Sequence, residues 1–181
     1  MDIHGLQKLT LLDFPGHVAC TVFLAGCDFR CPFCHNGGLV LGGMEPVMDD
    51  AGLLDFLRKR QGLLDGVAVT GGEPLLQAVK DLGYAVKLDT NGSHPAALRS
   101  LVEEGLVDYE FRTTAVAELH DDASFEGIAR WIAGAKRYYI QCFTDRDSVI
   151  RSGLHAPDKA QLERWANIVR PLVPSVELRG V

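Results

Sequence analysis

Short apolar runs alternate with amphipathic stretches along this chain, and that alternation constrains its fold more than any other feature. Val18-Ala19-Cys20-Thr21-Val22-Phe23-Leu24 is rich in branched and aromatic residues and predicts a strand. Further strands are expected over residues 66–70, 85–89, 107–113, 137–143 and 176–178. Helical periodicity lies between them. Phe125, Ile128, Ala129 and Ile132 share a helix face behind the cap candidates Asp121 and Asp122. Leu162, Trp165, Ala166 and Val169 repeat the spacing, with Pro157 and Asp158 as the start signal. Leu98, Leu101 and Val102 form a stripe that stops at Gly105, and residues 49–60 carry Leu53, Leu54 and Leu57 on one face. Strands alternating with helices imply right-handed βαβ units, a parallel sheet and an open or partial α/β barrel. Chemistry in such a barrel belongs at the C-terminal ends of the strands. One crossover is tight: only 14 residues, opening with Gly71-Gly72-Glu73-Pro74, separate Thr70 from Ala85.

A chain of 181 residues with 47% apolar and 23% charged residues is expected to form one domain, residues 1–181, with an ordinary core. Lys plus Arg total 18 against 24 Asp plus Glu, a net charge of −6 with no basic block. That balance offers nothing for a phosphate backbone or an anionic membrane, and nucleic-acid binding by bulk charge is not expected. The opening residues have neither a basic start nor an apolar core, and no apolar run approaches the ~18 residues of a membrane span. The expected location is the cytoplasm, where thiols stay reduced.

In that compartment the five cysteines, Cys20, Cys27, Cys31, Cys34 and Cys142, point to a metal site rather than a disulfide framework. Cys27, Cys31 and Cys34 have the spacing C-x3-C-x2-C directly after the first of these strands. Three thiolates on one loop can hold three irons of a cubane cluster, which normally takes four cysteines, and leave one iron open. Two other readings compete. Cys31-Pro32-Phe33-Cys34-His35 matches the haem-attachment pattern C-x-x-C-H, which leaves Cys27 unused and requires export. A zinc site from Cys27, Cys31, Cys34 and His35 would support a non-enzymatic interaction module, although such sites usually use two separated ligand pairs. Cys20 alternates with Val22 and Leu24 and reads as core; Cys142, Trp131 and Trp165 read as packing as well.

These cysteines, with Phe33 before the last of them, resemble the signature of the radical S-adenosylmethionine (SAM) superfamily. Gly71-Gly72-Glu73-Pro74 is similar to the superfamily's GGEP segment, and Leu88-Asp89-Thr90-Asn91-Gly92 to a D-T-N-G segment that faces SAM. Gly5-Leu6-Gln7-Lys8, Asp13-Phe14-Pro15-Gly16, Cys34-His35-Asn36 and residues 109–114 resemble one subgroup, the activating proteins of anaerobic ribonucleoside-triphosphate reductase, relatives of pyruvate formate-lyase activating enzyme. The likeness runs from about Gly5 to the end. Two places fall short of the family's pattern. After Gln77 the family has a longer helix, and after Tyr109 it continues through a strand ending in Asp-x-Lys and a further helix. Two joins with missing family residues are therefore expected, near Gln77/Ala78 and near Tyr109/Glu110.

The resemblance implies a partial (β/α)6-type open barrel. It also implies a 4Fe–4S cluster on Cys27, Cys31 and Cys34, with SAM chelating the open iron. On that resemblance, one electron from the cluster would cleave the sulfonium to methionine and a 5′-deoxyadenosyl radical, and that radical would abstract hydrogen from a glycine Cα of a partner reductase. The cofactors carry the hard step, and the protein supplies geometry and exclusion of water. By the same resemblance Phe33 lines the adenine side, Gly72 offers a backbone group to the methionyl amine, Glu73 orients that loop, and Gly71 is a further cofactor-binding residue. Asp89 and Asn91 are expected SAM contacts. Arg112 is expected either to meet the SAM carboxylate or a substrate backbone, or to pair with a neighbouring acid. No catalytic side chain is expected beyond the cluster ligands. The implied partners are the glycyl-radical subunit of anaerobic ribonucleotide reductase and a reduced donor such as flavodoxin or ferredoxin. A radical SAM enzyme acting on a small molecule, in cofactor or modified-base biosynthesis, is the alternative within the superfamily.

Overall fold

The computed structural model describes residues 2–71, 81–103 and 107–181. The described chain is mixed α/β with parallel strands, as expected, and divides into two compact units. One comprises Met1–Arg30 and Asn36–Ser93; the other comprises Cys31–His35 and His94–Val181.

The first unit is built on a five-stranded sheet in the order β3-β1-β2-β4-β5. Its strands are β1 (Asp2–Thr10), β2 (Ala19–Leu24), β3 (Met48–Asp49), β4 (Gly66–Thr70) and β5 (Ala85–Leu88). β2, β4 and β5 run parallel, in register at Cys20↔Val67 and Val67↔Val86. Both β2 and β4 are almost wholly buried, so their apolar runs are continuous rather than alternating. β1 is an addition to the expected strands and pairs antiparallel with both β2 and β3. Its residues gave no strand signal because Gly5, Gln7 and Lys8 interrupt the apolar alternation. Gly5 stands there because a Cβ would lie 3.3 Å from the ring of Phe23, its partner on β2.

A short helix α1 (Gly37–Leu41) and an amphipathic helix α2 (Asp50–Arg58) complete this unit. The Asp49 carboxylate accepts the Gly52 N–H at 2.8 Å, capping α2 and aiming Leu53 and Leu57 inward. They join Ile3, Cys20, Val22, Val67 and Val69 in one core. The buried Tyr84 hydroxyl donates to the Leu57 carbonyl at 2.6 Å, so it brings no unsatisfied polar group with it.

The second unit holds a parallel three-stranded sheet, β6 (Phe111–Ala115), β7 (Arg137–Cys142) and β8 (Ser175–Arg179), in that order. Its helices are α3 (Pro95–Glu103), α4 (Asp122–Trp131) and α5 (Lys159–Val169). Both α4 and α5 start with a capping box, Asp121 with Ser124 and Asp158 with Gln161. Phe125 of α4 stacks on Trp165 of α5 with centroids 4.6 Å apart, and both pack on Tyr138, Ile140 and Val176. β6 begins four residues later than the 107–113 reading, because Asp108 is drawn away to Arg137, at 2.5 Å, and Tyr109 turns its ring edge to Phe111.

Trp131, expected to pack as Trp165 does, is 83% exposed, whereas Trp165 is 2% exposed. As the last residue of α4, Trp131 lies six positions beyond Phe125 and so points away from the buried Phe125–Ala129 stripe. None of the described helices is long and apolar enough to cross a membrane.

Candidate functional site

The three-cysteine segment leaves the end of β2 through Gly26, whose φ of +86° is open to glycine at no cost and whose N–H donates to the Leu39 carbonyl at 3.1 Å. Cys27 follows, half-buried. Arg30 folds back over this turn, donating from Nη1 to the carbonyls of Cys27 at 2.6 Å and Phe29 at 2.9 Å. The Cys27 sulfur accepts two N–H groups: the backbone N–H of Phe29 at 3.4 Å and the side-chain amide of Asn91 at 3.3 Å.

Asn91 lies just past the C-terminal end of β5. Asp89 anchors that end, its N–H donating to the Val69 carbonyl at 2.9 Å and its carboxylate receiving Lys87 Nζ at 2.5 Å. Ser93 then donates from its hydroxyl to the Asp28 carboxylate at 3.0 Å, a second tie between the two loops. The D-T-N-G pattern singled out Asp89 and Asn91; Lys87 and Ser93 escaped it, because Lys87 precedes the segment and the partner of Ser93, Asp28, lies 65 residues away.

Gly71 ends β4. Its φ is +91°, and a Cβ there would sit 2.1 Å from the Leu24 carbonyl oxygen. The ends of β2 and β4 approach closely only because this residue has no side chain. Gly72 and Glu73, the other expected contacts in this segment, lie outside the described residues, as does the Gln77/Ala78 position.

In the second unit, Cys31 and Cys34 are half-buried and share a tight turn, with the Cys34 N–H donating to the Cys31 carbonyl at 3.0 Å. The loop after β7 supports this turn. Arg151 N–H donates to the Pro32 carbonyl at 2.9 Å, and His35 Nε2–H donates to the Thr144 carbonyl at 2.8 Å. Phe33 packs on a small core of Val116, Phe143 and Leu154. His35 thus has one ring nitrogen committed to a backbone carbonyl. Arg112 lies exposed on β6, in register with Tyr139 of β7.

The other two thiols differ in kind. Cys20 is fully buried, and burial pushes its pKa up to about 11; burial raises that of Cys142 as well. Cys20 sits in the core of the first unit and Cys142 packs against that of the second, as small apolar side chains do. No cysteine is in a disulfide.

Among the described residues, no three Cys, His, Asp or Glu side chains are grouped closely enough to hold one ion as they stand. Cys27 belongs to the first unit and Cys31 and Cys34 to the second, and each is positioned here by its own surroundings. The donor chemistry fits an iron–sulfur group. The thiols of one short loop are partly accessible, and one sulfur is met by N–H donors of the kind that surround cluster thiolates.

The sequence profile of the radical SAM superfamily matches residues 21–143, and the chain belongs to that superfamily. Its members use a 4Fe–4S cluster and SAM. Over 99% of its length the chain is 26% identical to a protein of Methanocaldococcus jannaschii provisionally named a glycyl-radical enzyme activating enzyme, of which 96% is covered. That alignment runs over 238 positions against 181 residues here, so the relative carries stretches with no counterpart in this chain. Half of the chain is 33% identical to a pyruvate formate-lyase-activating enzyme of Clostridium pasteurianum, and 48% of it is 36% identical to a 7-carboxy-7-deazaguanine synthase of Hyperthermus butylicus. It spans 43% and 40% of those two proteins respectively.

Proposed function

We propose that this chain, as one radical SAM domain over residues 1–181, is an activating enzyme that installs a glycyl radical on anaerobic ribonucleoside-triphosphate reductase. The observation that carries the reading is the near end-to-end alignment with the M. jannaschii activating-enzyme relative, which spans both units rather than the signature loop alone. The subgroup-like segments at Gly5-Leu6-Gln7-Lys8, Asp13-Phe14-Pro15-Gly16 and residues 109–114 favour the reductase as its target.

Cys27, Cys31 and Cys34 are the proposed iron ligands. Gly71, Gly72, Glu73, Asp89, Asn91 and Arg112 are proposed to hold SAM, with Phe33 on its adenine side. When bound, the cluster and SAM supply a one-electron cleavage of the sulfonium that delivers a carbon radical. The chain's own work is positional. Gly71 lets the ends of β2 and β4 close up, Asn91 and Ser93 grip the loop that carries Cys27, and the loop after β7 braces Cys31 and Cys34. Glycine suits the radical's target, since its Cα can be approached without a side chain in the way. The proposed partners are that reductase subunit and a flavodoxin- or ferredoxin-type donor in the cytoplasm.

The similarity to the deazaguanine synthase favours a second reading, a radical SAM enzyme acting on a small molecule. One experiment separates them. The anaerobically reconstituted protein is incubated with SAM, reductant and a candidate reductase, and the mixture is read by electron paramagnetic resonance. A glycyl signal that requires all components supports the first reading. SAM cleavage without any glycyl signal, stimulated by a small substrate, supports the second.

A further inference from the structure

We propose that Asn91 is a positioning residue that holds the Cys27 sulfur through an N–H···S hydrogen bond and thereby raises the reduction potential of the bound cluster. This rests on the reading of Cys27 as an iron ligand.

The geometry fixes which end of the amide faces the sulfur. Asn91 Oδ1 accepts the Ser93 N–H at 2.8 Å, so that oxygen is committed within its own loop. The amide nitrogen is left to face Cys27, 3.3 Å from Sγ. The loop is held in place from several sides. The Gly92 N–H donates to Thr90 Oγ1 at 3.2 Å, and Ser93 Oγ donates to Asp28 beside the cysteine at 3.0 Å. Asp89 joins the loop to β4 through the Val69 carbonyl. An amide so fixed is a preset dipole with its positive end on the sulfur. Phe29 supplies a second one from the backbone.

Reduction of an iron–sulfur cluster adds negative charge that its thiolates share. N–H dipoles aimed at a ligand sulfur favour the reduced form and move the potential upward. The Phe29 contact belongs to the backbone of the turn itself. The Asn91 contact comes from 64 residues away, so a side-chain change can remove it without altering the cysteine loop's sequence.

The test compares the reconstituted wild-type chain with Asn91→Ala and Asn91→Asp, without SAM, in an anaerobic redox titration read by electron paramagnetic resonance of the reduced cluster. Both variants are expected to show a lower midpoint potential. The shift is larger for Asn91→Asp, which keeps an acceptor for the Ser93 N–H but turns an oxygen toward the sulfur. An unchanged or higher midpoint in either variant overturns the proposal. Failure of both variants to take up iron overturns it too, because Asn91 is then needed for assembly rather than for tuning. A wild-type chain that takes up no iron instead overturns the reading of Cys27 as a ligand, and this proposal with it.

Discussion

Cys20 and Cys27 stand seven positions apart and have opposite chemistry, because one ends inside β2 and the other beyond it. Cys20 is sealed among Val22, Val67 and Tyr84, where burial keeps its proton on. Cys27 is half-exposed and receives N–H donors. Cys20→Ala is therefore expected to cost about 1 kcal/mol of stability while leaving iron uptake intact. Cys27→Ser, Cys31→Ser and Cys34→Ser are each expected to abolish cluster uptake; iron content and visible absorbance after anaerobic reconstitution check both halves. Gly71 gives a sharper case. Alanine there meets a forbidding φ of +91° and the Leu24 carbonyl together, so Gly71→Ala is expected to lose at least about 2 kcal/mol in a urea melt of the cluster-free chain. An unchanged midpoint would show that the close approach of β2 and β4 is not required. The three-cysteine spacing was readable from sequence because its ligands are local. The amide on Cys27 was not, since D-T-N-G marks Asn91 as functional without saying that its partner lies 64 residues away.

Helices and buried strands reveal themselves to different degrees. β4 runs over Gly66–Thr70 as the sequence predicts, since its apolar run is bounded on both sides by residues that break strands. α4 and α5 also match, because each carries a capping box ahead of an apolar stripe. β1 and α1 were not readable: one is held by register with β2, and the other opens on two glycines. Such elements exist through tertiary pairing, which overrides local propensity. The two tryptophans test that division between stripe and edge. Trp165→Ala removes a ring stacked on Phe125 and an indole N–H donated to Asp122, and is expected to cost about 3–5 kcal/mol. Trp131→Ala, at the exposed end of α4, is expected to stay within about 0.5 kcal/mol in the same denaturation series. A comparable loss at both sites would mean that Trp131 is covered in solution.

Across the whole molecule, the carboxylates decide how the fold meets acid. Three of them are held below their ordinary range by hydrogen bonds: Asp108 by the Arg137 guanidinium, Glu118 by the backbone N–H of His155 and then its ring, and Asp121 by the Ser124 hydroxyl in the α4 cap. In the unfolded chain these groups take up protons at ordinary values of 3.8, 4.5 and 3.8, whereas the folded chain resists protonation to lower pH. Between those limits the unfolded state binds more protons, so stability rises with pH there. The contribution is complete above the ordinary values and is lost as pH falls through the folded ones. All three are exposed and screened, so each effect is modest, but they act in the same direction. The net charge of −6 also passes through zero near the pI of 5.5, and the growing positive charge at lower pH adds self-repulsion. Urea midpoints of the cluster-free chain are thus expected to fall steadily below about pH 4.5. Glu118→Gln cannot take up the proton that breaks the His155 contact, so its stability is expected to decline less steeply over that range, from a lower starting value near neutral pH. If wild type and Glu118→Gln lose stability in parallel on acidification, the Glu118–His155 link contributes nothing to acid sensitivity.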